Sequence, residues 1–214
     1  MNKLSAIVLA LSTLPLAAQA NLLTNGSFED HVLANGTWTV LASTNGWQAD
    51  ATSGLELRRN IAGVAQDGAN FVELDTNGGT FNNVSFDSST NSSIWQSVAT
   101  QANATYTLTW WYSPRINVAA DSNDIAVYWN NNLLTTNAGA GGGAHNWQAF
   151  SFQVTGTGGM DTVKFMAGGR QDSLGGSLDN VSLVANPVPE PGTYALMAAG
   201  LAAVGFVARR RQPR

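Results

Sequence analysis

The sequence predicts an all-β protein, an antiparallel β-sandwich or jelly roll, with an apolar segment at each end of the chain. Three observations favour this fold. Only 11% of the 214 residues are charged and 22 are glycines, which is typical of short strands joined by turns. Between residues 21 and 185, apolar and polar side chains alternate with a period of two. No segment in that region sustains a helical period over ten residues.

The strands follow from this alternation, because large side chains on one face of a strand pack in the core. In residues 105–110 tyrosine, leucine and tryptophan alternate with threonines. The same pattern predicts strands at residues 150–154, 125–128, 163–165 and 181–183. Asn-Gly pairs at 25, 35, 45 and 77 predict turns, and the Gly/Ala run 138–144 predicts a flexible loop.

The first twenty residues predict a secretory signal peptide. Lys3 provides the positive start, residues 4–14 are mostly apolar, and Ala18-Gln19-Ala20 has the small-x-small pattern of a cleavage site. The apolar run is too short to cross a bilayer, which takes about 20 residues. A buried N-terminal helix is the alternative. We therefore expect three units: a signal peptide (1–20), a β-sandwich (21–187) and a C-terminal segment (188–214).

Composition and charge exclude several classes of protein. Cysteine is absent, which rules out disulfide scaffolds and thiolate metal sites. Residues 21–189 hold five bases against thirteen acids, a net charge of −8. Such a body argues against a nucleic-acid partner, since nucleic-acid binding normally needs a basic face.

The C-terminal segment has three parts in a fixed order. Pro189, Glu190 and Pro191 interrupt regular structure, residues 194–208 carry no charge, and Arg209, Arg210 and Arg211 follow. The basic end is expected to stay cytoplasmic, so the helix would cross the membrane with the body outside. A plain C-terminal anchor is the alternative.

This arrangement resembles the PEP-CTERM sorting signal of Gram-negative bacteria. The resemblance implies a transmembrane sorting helix at 194–208 and processing near the Pro-Glu-Pro motif by an exosortase, in bacteria that often secrete exopolysaccharide. It also implies attachment to the inner membrane before processing, and a cell-surface or extracellular location afterwards.

The body resembles the galactose-binding-like jelly rolls that include carbohydrate-binding modules. The resemblance rests on an opening strand at 21–29, a Gly-Trp pair at 46–47, strands at 68–75, 94–96 and 106–108, and a closing segment at 178–183. It implies a jelly roll with a structural calcium held by Glu29 and Asp179 together with backbone carbonyls. Calcium takes six to eight oxygen ligands. The alternative is that Glu29 caps a turn and Asp179 pairs with an arginine.

Aromatic and polar residues near two strand ends suggest a ligand-binding face. Trp111 has the parity opposite to Trp110, a proline places Arg115 in a loop, and Trp129 ends another strand. Aromatic rings can stack on sugar rings, so these three residues are the candidate glycan site. Core packing of the tryptophans is the alternative.

Catalysis has little support in the sequence. No nucleophile elbow or phosphate-binding loop occurs, and the two histidines have no evident partners. We expect an exported, non-catalytic protein that binds a polysaccharide or exopolysaccharide. The alternatives are a structural surface or matrix protein without a specific ligand, and a polysaccharide hydrolase.

Overall fold

The structure, a computed structural model, describes residues 20–87, 91–187 and 191–210. The predicted signal peptide lies outside these residues except for Ala20. The strands are β1 (Thr37–Leu41), β2 (Ser43–Thr44), β3 (Trp47–Ala49), β4 (Leu55–Arg59), β5 (Phe71–Glu73), β6 (Gly79–Phe81), β7 (Val84–Phe86), β8 (Ser93–Ala99), β9 (Thr105–Ser113), β10 (Ile125–Trp129), β11 (Asn132–Asn137), β12 (Gln148–Thr155), β13 (Met160–Ala167) and β14 (Ser177–Ala185). One 3-10 turn (Ala120–Ser122) precedes β10, and a helix, α1 (Pro191–Arg210), follows β14.

The strands form a β-sandwich of two six-stranded antiparallel sheets. The first sheet has the order β1-β4-β5-β14-β9-β12 and the second β11-β10-β13-β8-β3-β2, while β6 and β7 form a separate hairpin. Strands that are neighbours in a sheet are often distant in sequence: β14 lies between β5 and β9. The predicted all-β sandwich of jelly-roll type is confirmed.

The core lies between the two sheets and follows the predicted alternation. Trp110 of the first sheet contacts Phe165 of the second, with ring centroids 5.9 Å apart. Trp47, from the predicted Gly-Trp pair, is fully buried and its indole N–H donates to the Asn25 carbonyl at 3.0 Å. Burying aromatic side chains of this size contributes much of the stability of a domain without disulfides.

The predicted opening strand at residues 21–29 is not a strand. The segment consists of bends and turns, and Asn25 and Phe28 have φ values of 52° and 59°, which an extended strand does not allow. It is nevertheless fixed to the last strand. The Leu22 N–H donates to the Leu183 carbonyl at 2.8 Å, and the Asn21 side chain accepts the Leu183 N–H at 2.9 Å.

The helix predicted at residues 194–208 is present and longer than expected, since α1 runs from Pro191 to Arg210. Proline is tolerated in the first turn of a helix because its missing N–H would have no helical partner there. Among the described residues, no helix has the length and apolar character required of a candidate membrane span.

Candidate functional site

The outer face of the second sheet carries a row of three side chains from adjacent strands, which we call the aromatic row: Trp95, Lys164 and Tyr128. Trp95 on β8 is the cross-strand partner of Lys164 on β13, and Lys164 is the partner of Tyr128 on β10. Their sequence neighbours point inward, so the three side chains point outward. Two strand spacings separate Trp95 from Tyr128, or about 10 Å.

An open groove of about 380 Å³ lies beside Trp95 and Lys164 of this row. It is lined by Asp50, Ser93, Trp95, Ser97, Asn131, Thr162 and Lys164. Hydroxyl, amide, carboxylate and ammonium groups therefore surround one indole. Small-ligand sites commonly combine an aromatic surface with a few polar groups of this kind.

Three local contacts order the groove. The Lys164 ammonium lies 5.6 Å from the centroid of the Tyr128 ring, within the range of a cation–π interaction. The Ser97 and Thr162 hydroxyls are 2.8 Å apart. Asp50 accepts hydrogen bonds from the Thr52 hydroxyl at 2.5 Å and the Thr52 N–H at 2.9 Å, and these bonds lower the pKa of Asp50. The carboxylate is thus held as a charged acceptor.

The three residues predicted as a ligand face do not form one surface. Trp129 is 6% exposed and belongs to the core, where its indole N–H donates to the Thr155 carbonyl at 3.0 Å. It shares the inward parity of Ile125 and Val127. Trp111 is half-buried and pairs with Asp179 across the outer face of the first sheet. A ligand on that face could not also stack on Trp129.

Arg115 is part of a buried ionic cluster on the outer side of the first sheet, formed by Glu56, Arg58, Glu73 and Arg115. Both arginines contact the Glu73 carboxylate, Arg58 at 3.0 Å and Arg115 in a very short ion pair. Arg58 also contacts Glu56 at 2.5 Å. Burial raises the pKa of both glutamates, and the two guanidinium groups oppose that shift. The cluster therefore uses Arg115 internally instead of presenting it to a ligand.

Glu29 and Asp179, the predicted calcium ligands, both accept N–H groups from residues 66–70. Glu29 Oε1 accepts the Ala69 and Asn70 N–H groups at 2.8 and 2.7 Å. Asp179 Oδ2 accepts those of Gln66 and Asp67 at 2.7 and 3.0 Å. Burial raises the pKa of Asp179 to about 7, against the hydrogen bonds, which lower it.

This donor pattern fits backbone N–H groups better than a cation, since Asp179 Oδ1 also accepts the Asn180 N–H at 2.6 Å. Within the described residues, no group of three or more His, Cys, Asp or Glu side chains could hold a metal ion. Calcium stays a prediction, and its binding here would require Asp179 to share or release N–H groups, because both of its oxygens already accept them.

The predicted sorting residues are only partly described. Pro189, Glu190 and Arg211 lie outside the described residues. Pro191 begins α1, and Arg209 and Arg210 lie in its last turn, where both are exposed. The Arg210 guanidinium lies 4.8 Å from the Phe206 ring centroid.

The sequence contained the signal for the aromatic row, although the row was not predicted. Trp95 stands between the buried residues Ile94 and Gln96, Lys164 between Val163 and Phe165, and Tyr128 after Val127. Each has the outward parity of its strand. What parity alone does not show is that β8, β13 and β10 are neighbours.

Comparison with known proteins supports the predicted sorting signal and the predicted fold. Residues 187–211 match the PEP-CTERM protein-sorting motif, which implies export and processing by an exosortase. No curated protein sequence matches the chain.

Among solved structures, a cyclase from Fischerella sp. TAU is similar, with a TM-score of 0.56 and 16% identity, covering 81% of this chain and 100% of that chain. An arabinose-bound α-L-arabinofuranosidase has a TM-score of 0.50 and 14% identity over 79% of this chain and 27% of that one. A family 35 carbohydrate-binding module from Clostridium thermocellum has a TM-score of 0.41 and 12% identity over 69% of this chain and 97% of that chain. At these identities, the first two likenesses show the fold alone.

Proposed function

We propose that this chain is an exported, exosortase-sorted surface or matrix protein whose jelly roll binds a glycan without catalysis, in the groove of the second sheet. The observation that carries the proposal is the aromatic row. Trp95 offers an apolar face for a sugar ring, and Asp50, Asn131 and Lys164 offer acceptors and donors for its hydroxyl groups.

The arrangement of the carboxylates supports the non-catalytic part of the proposal. A glycosidase ordinarily uses two carboxyl groups on either side of the scissile bond. Among the described residues that line the groove, Asp50 is the only carboxylate. The glutamates of the ionic cluster, Glu56 and Glu73, are fully buried and occupied by arginines.

The C-terminal segment supports the export and sorting part. We propose that α1 holds the chain at the inner membrane until processing, because residues 194–208 carry no charge and arginines follow directly. The test is mass spectrometry of the exported product together with membrane fractionation. Loss of residues 194–214 from the exported protein supports sorting, and their retention supports a plain anchor.

Glycan binding is tested with the exported protein by affinity electrophoresis in gels that contain the host's exopolysaccharide or a panel of neutral and acidic polysaccharides. We expect Trp95→Ala to weaken binding about tenfold, the equivalent of about 1.4 kcal/mol. Trp111→Ala is the matched control, since Trp111 is a half-buried tryptophan on the outer face of the other sheet.

Three other results would change the assignment. Loss of binding with Trp111→Ala and not with Trp95→Ala would move the site to the first sheet. No retention of the unmodified protein on any polysaccharide would favour a structural protein without a specific ligand. Release of reducing ends from a retained polysaccharide would identify a hydrolase.

A further inference from the structure

The chain leaves the sandwich at a fixed point. The Asn186 N–H donates to the Thr105 carbonyl at 2.9 Å, and the Asn186 side chain accepts the Thr107 hydroxyl at 2.6 Å. The backbone is therefore held to β9 up to Asn186. The next residue, Pro187, is the first one matched by the sorting motif.

A second groove, which we call the exit groove, opens at this point. Its volume is about 430 Å³, and it is lined by Leu22, Ala99, Gln101, Ala104, Tyr106, Ala185, Asn186 and Pro187. Tyr106 is 3% exposed, and its hydroxyl accepts the Gln101 N–H at 2.8 Å. Leu22, 39% exposed, is one of the apolar side chains that remain open to a partner.

The exit groove differs in charge from the rest of the body. The described residues that line it include no carboxylate, lysine or arginine, although residues 21–189 carry a net charge of −8. Hydrogen bonds fix both ends of the body at this groove: Leu22 is hydrogen-bonded to Leu183, and Asn186 to Thr105. An uncharged, braced concavity suits an uncharged and partly apolar protein segment.

The segment between the sandwich and α1 is short, so the processing enzyme must come close to this groove. Four residues, 187–190, separate Asn186 from the first residue of α1, and at full extension they span at most about 14 Å. An enzyme that cuts the chain near the Pro-Glu-Pro motif must therefore work directly against this end of the sandwich.

We propose that the exit groove is a docking surface for the enzyme that cuts the sorting motif, and that it receives an uncharged, partly apolar loop of that enzyme. The sorting motif positions the segment that the enzyme cuts. The exit groove positions the folded body relative to the same enzyme. This inference rests on processing of the motif and does not depend on glycan binding.

The test follows conversion of the full-length precursor in its host by pulse–chase and immunoblotting. Ala99→Trp fills the groove from the end of β8, and we expect it to slow conversion about tenfold. Ser97→Trp is the matched control, because Ser97 is also exposed and lies two residues earlier on the same strand. Ser97 lines the groove of the aromatic row, so this variant should weaken glycan binding and leave processing unchanged.

Two further variants keep the test decisive. Gln101→Lys introduces a charge where the partner is expected to be uncharged, and it should slow processing even if Ala99→Trp fails to fold. A flexible insertion of about 12 residues after Pro187 would place the motif some 20 Å from the body. In that background, wild type and Ala99→Trp should be processed at equal rates.

Processing of folded Ala99→Trp and Gln101→Lys at the wild-type rate overturns the docking surface. A defect that persists with the insertion also overturns it, because the effect would then not depend on proximity. Absence of processing in the unmodified chain overturns both this inference and the sorting part of the proposed function. Glycan binding is measured separately, and none of these processing results decides it.

Discussion

Glu29 and Asp179 hold one short segment of chain from its two ends: Asp179 accepts the N–H groups of Gln66 and Asp67, and Glu29 those of Ala69 and Asn70. The two carboxylates come from opposite ends of the sandwich sequence. Gly68 lies between the two pairs of donors with a φ of 67°, and a side chain there would meet the Glu29 carboxylate. We describe this arrangement as a carboxylate latch.

The latch predicts that Glu29→Ala destabilises the protein by about 2–3 kcal/mol, because two N–H groups would lose a charged acceptor. The measurement is urea unfolding at pH 7 followed by tryptophan fluorescence. Glu29→Gln is the matched control. It keeps one acceptor oxygen, so its loss should be smaller; equal losses in both variants would show that the charge, and not the acceptor, is what matters.

The same geometry predicts that calcium contributes little. Because three of the four latch oxygens already accept N–H groups, we expect the thermal midpoint to be unchanged between EDTA and millimolar calcium. A calcium ion that bound at 100 times its dissociation constant would add about 2.7 kcal/mol and raise the midpoint visibly. Such a rise, abolished by Glu29→Ala, would establish the calcium site that the sequence suggested.

Trp129 and Trp95 lie in different environments and should respond differently to truncation. Trp129→Ala removes a core side chain and leaves the Thr155 carbonyl without its donor, so we expect a loss of about 3–5 kcal/mol. Trp95→Ala should cost less, about 1 kcal/mol, because Trp95 is half-buried on the outer face and lies outside the core cluster. Urea unfolding of both variants measures this. A large loss for Trp95→Ala would mean that Trp95 is a packing residue and would remove the main support for the glycan site.

Removing one charge from the buried ionic cluster should destabilise the protein much more than removing one from an exposed ion pair. Glu73→Gln leaves Arg58 and Arg115 without their shared carboxylate, and removal of one partner from a buried ion pair costs about 3–5 kcal/mol. Arg170→Met is the control, because Arg170 and Asp121 form an exposed pair with side chains 64% and 56% exposed. That variant should lose less than about 1 kcal/mol. Similar losses in the two would show that the cluster is solvated in solution.

The sequence predicts features that depend on neighbouring residues, and it does not predict those that depend on distant contacts. The parity of Leu108 and Trp110 identifies the inner face of β9 without any knowledge of its neighbours. The pairing of β14 between β5 and β9 depends on contacts over more than sixty residues, which no local pattern encodes. For the same reason Trp95, Lys164 and Tyr128 could each be recognised as outward-facing, but not as members of one row.

One expectation about the local backbone was wrong and another was incomplete. The opening strand at 21–29, which the family resemblance implied, is not formed, because positive φ at Asn25 and Phe28 turns the chain away from an extended course. The predicted Asn-Gly turns are present at Asn35-Gly36 and Asn45-Gly46, and two further hairpins turn on Asn-Asn pairs that were not predicted. Both residues of Asn130-Asn131 have positive φ, 48° and 64°, as a tight hairpin turn requires, and asparagine tolerates this conformation.

Asp161 predicts a specific acid sensitivity of the sandwich. Its carboxylate accepts the Thr100 hydroxyl at 2.5 Å, the Thr157 N–H at 2.8 Å and the Asn130 side-chain amide at 2.6 Å, and so ties three loops together. Burial raises the pKa of Asp161, but these hydrogen bonds outweigh it and lower the pKa to about 2.

Because the folded state binds the proton more weakly than the unfolded state does, Asp161 stabilises the protein above the usual aspartate pKa. That contribution should be lost as the pH falls from about 4 to about 2. Urea unfolding at pH 7, 4 and 2.5 measures it. Asp161→Asn should be about 2 kcal/mol less stable at pH 7 and should lose less stability than wild type between pH 4 and 2.5, since the titrating group is gone. Asp121→Asn, at an exposed position, should retain the wild-type profile. If Asp161→Asn shows the same acid dependence as wild type, another carboxylate must govern the transition.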